Sequence, residues 1–249
     1  MARDILIVEI MFKMRKILLF FLFLFVHVSL FAQVDSLVVK TDSSEVRHQV
    51  LLRTSMGDIT VELYNETPKH RDNFLRLVRS GYYDGNLWHR VIADFMIQTG
   101  DSTTRHAAPG KVVGDYDPGY KIPAEICFPK YFHKRGALAA AREGDADNPK
   151  RESSASQFYL VWGFPYGPKA MAKFQARLDS TTNGQVKFPP EMCDYYWSHG
   201  GTPWLDGQYT VFGEVVKGLK VVGDIDAVAT DDHDRPKEDV RIIKAIVVK

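Results

Sequence analysis

The run Trp88-His89-Arg90-Val91-Ile92-Ala93-Asp94-Phe95-Met96-Ile97-Gln98-Thr99-Gly100-Asp101 concentrates the side chains in this chain that are best placed to do chemistry. Alternate residues of an extended chain share a face, so Trp88, Arg90 and Ile92 are expected to point one way. Beyond a bend at Ala93-Asp94, Met96 and Gln98 share a face. A guanidinium, a thioether and an amide are thereby gathered on neighbouring strands, which offers charged hydrogen bonding beside an apolar surface. By themselves these residues better suit an edge strand with a solvated arginine and a core methionine. Other chemistries find less support. No Gly-x-Ser-x-Gly elbow surrounds Ser153, Ser154 or Ser156, and no His-Glu-x-x-His motif occurs, which speaks against hydrolysis. Cys127 and Cys193 each precede a histidine by six positions, His133 and His199, a spacing unlike the ligand spacings of structural zinc sites. The two thiols can pair in an oxidising compartment or stay free, and the sequence does not choose.

The elements that must position this stretch are mostly short strands. His48–Arg53 and Asp58–Leu63 flank Ser55-Met56-Gly57, and the second run alternates Ile59, Val61 and Leu63 with polar residues, the pattern of a hairpin with one buried face. Thr67-Pro68 reads as a cap and first helical residue, Phe74, Leu77 and Val78 fall on one helical face, and Gly81 stands at the C-terminal cap, so a helix is expected over Pro68–Ser80. Asn65-Glu66-Thr67 fits a glycosylation sequon but reads as the turn before that helix. Apolar runs at 87–92, 95–98, 136–141, 157–162, 209–216 and 240–248 lie between turn residues, which predicts an antiparallel barrel or sandwich. Residues 163–203 are proline-rich, with a helix expected over Pro168–Leu178, and read as an insertion between two strands. A further short helix is expected after Gly218.

Composition sets the broader bounds. With 45% hydrophobic and 25% charged residues the chain should fold. A formal net charge of +1 leaves no field suited to nucleic acid or an anionic membrane surface, and a neutral peptide is the better match. Met14-Arg15-Lys16, the apolar run Ile17–Val26 and the small residue Ala32 have the layout of a signal peptide over residues 1–32, with the true start at Met1, Met11 or Met14. The protein is then exported, and periplasmic if the cell is Gram-negative. An uncleaved segment would anchor it to the membrane, but His27 interrupts a run already shorter than the ~20 residues that span a bilayer. Residues 33–46 read as a linker and 47–249 as one domain.

At the Arg90 stretch the sequence resembles the cyclophilin family of peptidyl-prolyl isomerases. The family run Phe-His-Arg-Val leading to Phe-Met-x-Gln-Gly-Gly-Asp is matched by Trp88-His89-Arg90-Val91 and Phe95-Met96-Ile97-Gln98-Thr99-Gly100-Asp101. Ser-Gln-Phe-Phe is matched by Ser156-Gln157-Phe158-Tyr159, and Trp-Leu-Asp-Gly with Val-Phe-Gly by Trp204-Leu205-Asp206-Gly207 and Val211-Phe212-Gly213. The resemblance implies a closed eight-stranded antiparallel barrel capped by two helices, here with one inserted helical loop. It implies isomerisation of X-Pro bonds without cofactor or metal, with Arg90 as catalytic donor and Gln98 orienting it. It also implies a proline pocket of Phe95, Met96, Tyr159 and Leu205, a peptide groove lined by Ala141, Arg142 and Gln157, and a structural rather than catalytic His89. Trp204 matches a position associated with cyclosporin binding, and Tyr209 replaces a histidine of many eukaryotic members. The chain departs from the family at Ala93-Asp94, where Pro-Gly is usual, at Thr99 for Gly, and at Tyr159 for Phe. The partners implied are proline-containing peptides or unfolded exported chains, met by a monomer. A peptide-binding scaffold without activity is the alternative.

Overall fold

The alternation of Ile59, Val61 and Leu63 places all three at zero exposure on one face of the first hairpin in the computed structural model, which describes residues 46–249. The expected signal segment, its alternative starts and the linker to residue 45 lie outside the described residues. Strands β1 (Gln49–Thr54) and β2 (Gly57–Leu63) pair from Gln49↔Glu62 to Thr54↔Gly57, leaving Ser55-Met56 as a two-residue turn. The remaining strands are β3 (Arg90–Ile92), β4 (Met96–Thr99), β5 (Lys121–Ile122), β6 (Ala137–Ala140), β7 (Ser153–Ser154), β8 (Phe158–Val161), β9 (Val211–Lys217) and β10 (Ile242–Val247). Eight of them form one antiparallel sheet in the order β10-β1-β2-β9-β6-β8-β4-β3, while β5 and β7 make a small separate ladder that the sequence pattern did not reveal.

The sheet curls into a half-barrel and stays open, which corrects the expectation of a closed barrel. Its end strands β3 and β10 share no ladder. The chain just before each strand carries the seam instead, through Trp88 N–H to Val240 O at 2.8 Å, Ile242 N–H to Asn86 O at 2.8 Å and an isolated bridge between Leu87 and Arg241. Residues 81–86 reach that seam through turns at Gly81 and Gly85, both at positive φ, so no regular strand precedes Arg90.

The concave core is built from Val50, Leu52, Ile59, Val61, Leu138, Leu160, Phe158 and Phe212. Helix α1 (Pro68–Arg79) drops Phe74, Leu77 and Val78 into it, with the Phe74 ring edge-on to both Phe158 and Phe212. The Gly81 cap is as expected: Gly81 N–H reaches Val78 O and Tyr82 N–H reaches Leu77 O, both at 3.0 Å, a Schellman ending. Thr67 does not cap the other end. Its hydroxyl turns back to Tyr64 O, and the open N–H groups of Lys69 and His70 are taken by the carboxylate of Glu125 at 3.1 and 3.0 Å. That acceptor lies more than fifty residues away and leaves no local signature.

Residues 163–203 fold as two helices where one was expected: α2 (Pro168–Thr181) and α3 (Pro190–Ser198). The Pro189-Pro190 pair reads as loop, yet Pro190 sits at the first helical position, where a missing N–H costs nothing. Met171, Met192 and Tyr196 bury a satellite core against Phe128, Phe132, Tyr166, Phe174 and Phe188. The insertion leaves and rejoins the body at one neck, where a Cβ on Gly163 would meet Gly201 backbone atoms at 2.3 to 2.4 Å. Helix α4 (Leu219–Asp226) then buries Val222 and Ile225 in the main core.

Candidate active site

Register brings the first two site residues together. In the β3–β4 pair Arg90 stands opposite Gln98 and Ile92 opposite Met96. Arg90 Nη1 donates to Gln98 Oε1 at 3.2 Å, and Gln98 Nε2 donates to Gln157 Oε1 at 2.9 Å. Gln157 Nε2 in turn donates to the carbonyls of Gly114 and Tyr116 at 2.8 and 3.0 Å. This directed chain fixes which way each amide faces, and so holds the guanidinium from behind. On its other side Arg90 Nε lies 3.4 Å from Asp234 Oδ2, a pair whose side chains are 43% and 45% exposed. Nη2 makes no hydrogen bond to the described residues.

Below the guanidinium is a hollow of about 160 Å³ lined by Arg90, Phe95, Met96, Gln98, Ala141, Arg142, Tyr159, Leu205 and Tyr209. Nine of the eleven expected residues therefore meet at one place, and none of residues 163–203 lines it. Met96 and Tyr159, buried at 1% and 4% exposure, form its floor with Val161, Val211 and Ala139 packed behind. Phe95 is delivered by the β3–β4 bend, in which Asp94 takes a left-handed conformation (φ 59°) that a glycine would adopt without strain. The bend is pinned from α4: Asp94 N–H donates to Asp226 Oδ2 at 2.9 Å.

The two other expected residues stand elsewhere. Gln157 is set back from the hollow, its amide committed to the chain described above, and lines an adjoining cleft of about 290 Å³ that shares Gln98, Ala141 and Arg142 with the hollow. Trp204 turns toward the insertion, its ring 5.8 Å from Tyr166 and 5.2 Å from Phe174, with Phe95 on the hollow side at 5.5 Å. Sequence pattern cannot supply that orientation because the two covering rings belong to the insertion. Trp88 also departs from expectation. It does not share the Arg90 face but lies in the main core, edge-on to Phe158 at 6.0 Å, because strand geometry begins only at Arg90. Arg142 is occupied as a brace, donating to Gln208 O and Glu143 O at 2.9 Å each and lying 4.3 Å above the Tyr209 ring.

Sequence reasoning missed His133 and Asp206, which sit directly behind the floor. His133 Nε2 is 3.0 Å from the Tyr159 hydroxyl and Nδ1 is 2.8 Å from Asp206 Oδ1. His133 figured in the sequence only through its spacing from Cys127 and Asp206 only within the Trp204–Gly207 run; both cysteines are free thiols, and His133 is given to Asp206. His89 is buried with neither ring nitrogen hydrogen-bonded, and burial pushes its pKa down to about 4. It is a neutral ring packed against Gly114, away from the hollow. A larger cavity of about 330 Å³ lies in the insertion among Tyr166, Met171, Phe188 and Trp197, but it has no arginine in its lining and shares no residue with the hollow.

Such an arrangement can seat a small apolar ring and offer a fixed cationic donor at its rim. The family model described as cyclophilin type peptidyl-prolyl cis-trans isomerase/CLD matches residues 49–247. A Staphylococcus aureus (strain COL) chain carrying a peptidyl-prolyl cis-trans isomerase name is 34% identical over 203 residues, 81% of this chain and 91% of that one. Peptidyl-prolyl cis-trans isomerase ppi1 of Schizosaccharomyces pombe is 34% identical over 200 residues, 80% of this chain and 98% of that one. Among solved structures, a Cryptosporidium parvum cyclophilin type isomerase aligns with a TM-score of 0.57 at 23% identity, covering 82% of this chain and 99% of its own. A structure of that protein obtained in the presence of the dipeptide Ala-Pro aligns with a TM-score of 0.55.

Proposed function

This chain belongs to the cyclophilin-type peptidyl-prolyl cis-trans isomerase family, and from that premise we propose that it turns X-Pro bonds by seating the proline ring in the 160 Å³ hollow and donating from Arg90 to the twisting amide. Rotation about the bond breaks C–N resonance against a barrier of ~18–20 kcal/mol. As the amide twists, the proline nitrogen becomes pyramidal and gains a lone pair that neither planar isomer offers. A donor aimed there stabilises the twisted state selectively, which is what accelerates the reaction. An acceleration of about five decades needs ~7 kcal/mol, within the range of a charged, preorganised donor combined with positioning.

The observation that carries this reading is Arg90 itself: held by Gln98 and Asp234, with Nη2 unbonded among the described residues, at the rim of a hollow that Phe95, Met96 and Leu205 line together with polar groups. Phe95, Met96, Tyr159 and Leu205 would grip the ring, and Gln98, Ala141 and Arg142 would pass the peptide into the adjoining cleft beside Gln157. The test is the exchange rate of a short Ala-Pro peptide, followed by NMR or a coupled protease assay. Arg90→Ala should lower it by about two decades or more with circular dichroism unchanged. A fully active variant would refute the role of Arg90.

The remainder of the reading concerns setting. The basic-apolar-small pattern of residues 14–32 supports export, to the periplasm of a Gram-negative cell, and hence clients that are unfolded exported chains. Fractionation of cells expressing the full chain tests this, since a cytoplasmic product would overturn it. We propose further that the enzyme acts as a monomer and binds cyclosporin through Trp204, with Tyr166 and Phe174 against that ring limiting its access.

A further inference from the structure

Tyr159 is where this chain departs from the phenylalanine of its family, and its added hydroxyl is not idle. The ring lies at 4% exposure in the floor of the hollow, on β8 opposite Gln98 of β4. A buried hydroxyl must find a partner, and this one finds His133 Nε2 at 3.0 Å. His133 is itself buried, and its Nδ1 and backbone N–H both reach Asp206 Oδ1, at 2.8 and 2.7 Å. Since a carboxylate only accepts, Nδ1 carries the proton; in the neutral ring Nε2 is then the acceptor and Tyr159 the donor. The second oxygen of Asp206 accepts from the Tyr196 hydroxyl at 2.6 Å, and Tyr196 belongs to helix α3 of the insertion. Every group in this line is at 4% exposure or less. Burial pushes the Tyr159 and Tyr196 hydroxyls well above their ordinary pKa, so both remain O–H.

The line therefore runs from the insertion into the floor of the hollow, Tyr196 to Asp206 to His133 to Tyr159, with a donor and an acceptor matched at each step. Tyr209, on the opposite wall, lies edge-on to both His133 and Tyr159 at 6.2 and 6.3 Å, so one imidazole supports two lining residues. Resting on the isomerase reading of the hollow, we propose that His133 and Asp206 are positioning residues for substrate binding, which hold the Tyr159 ring at the depth a proline needs, and that α3 of the insertion anchors them through Tyr196. The insertion is thus part of the proline pocket without touching substrate.

His133→Asn keeps a donor to Asp206 and removes the reach to Tyr159, whereas His133→Gln keeps the reach. The proline-peptide assay on full-length wild type, His133→Asn, Tyr159→Phe and the double variant forms a cycle, with thermal unfolding measured alongside. A wall that grips the ring equally in the planar and twisted states acts on KM and leaves kcat alone. The expected result for His133→Asn is a rise in KM of about five-fold, equivalent to ~1 kcal/mol. In the Tyr159→Phe background the same substitution should add less than about two-fold, and His133→Gln should restore KM to within about two-fold of wild type. Tyr196→Phe should raise KM in the same direction by a smaller factor. A purely structural histidine would change the melting temperature and the folded fraction, hence apparent kcat, equally in both backgrounds. An unchanged KM, or an equal rise with and without the Tyr159 hydroxyl, would overturn the proposal while leaving the isomerase reading intact. An inactive wild type would sink both.

Discussion

Asp226 offers the sharpest quantitative test of the packing behind the site. It closes α4, is 3% exposed, and uses one oxygen to hold the Asp94 N–H while the other has no hydrogen-bond partner. Burial pushes its carboxyl from 3.8 up to about 6; the neighbouring Asp94 charge adds to this, and backbone donors from Asp94 and Phe95 oppose it. A folded-state pKa raised by about two units means the native protein binds this proton more tightly than the unfolded chain does. Its contribution is therefore most favourable at low pH and declines as pH rises from about 4 to about 6, by ~3 kcal/mol at 1.36 kcal/mol per unit. Asp226→Asn keeps a carbonyl for Asp94 N–H and removes the ionisation. The stability of the variant minus that of wild type, from urea unfolding, should then grow by ~2 kcal/mol between about pH 4.5 and about pH 7.5, because part of the decline is already complete at the lower pH. Taking the difference cancels the other carboxylates. A difference that stays flat, or shrinks with rising pH, would refute the claim that a buried, half-satisfied carboxylate pins the Phe95 bend.

Glu125 should behave oppositely. Burial disfavours its charge, but hydrogen bonds from His70 and Lys69 outweigh that and hold the carboxyl below its ordinary value, so its stabilisation is present at neutral pH and lost as pH falls through that lowered pKa. Glu125→Ala, which uncaps α1, should cost ~1–2 kcal/mol at neutral pH by chemical unfolding, and much less in acid. Around Arg90, Asp234→Asn should lower kcat/KM by less than about three-fold, since a half-exposed ion pair is worth under ~1 kcal/mol, whereas Gln98→Leu should cost at least about ten-fold by stranding both Arg90 and Gln157. Equal losses would show that the amide chain does not hold the guanidinium. Gly163→Ala would force a Cβ at φ 68° to within 2.4 Å of Gly201 and should destabilise by ~2–4 kcal/mol, a drop in melting temperature that a well-folded variant would disprove.

What could be read in advance follows the range of the interactions. Arg90, Met96 and Gln98 were legible because a period of two in adjacent strands fixes faces locally, and the register Arg90↔Gln98 bears this out. Trp88 failed for the same reason inverted: strand geometry starts two residues later, and the pattern was extended past its physical limit. The Tyr159–His133–Asp206–Tyr196 line spans groups 26, 73 and 10 positions apart, and no periodicity encodes such contacts. The spacing of His133 from Cys127 matches no zinc-ligand pattern and says nothing of the Asp206 partner. Trp204 and the capping of α1 by Glu125 belong to this long-range class. The open seam does too, since strand number can be counted in a sequence but closure depends on turns at Gly81 and Gly85 that divert the chain before Arg90.

The seam also decides how a peptide can approach. Val91 is the residue of β3 whose outward N–H a visiting strand would need, and that group already donates to the Asp234 carbonyl at 2.8 Å. With Trp88 N–H spent on Val240 in the same way, both of these donors at the border of the sheet beside Arg90 are already taken and are closed to a newcomer. A bound chain must therefore lie over the face of the sheet that carries Met96, Gln98 and Tyr159, opposite the main core, and be recognised by ring and guanidinium, not be zipped on as a ninth strand. Two donors spent inside the molecule also leave this border a poor template for strand addition by another chain.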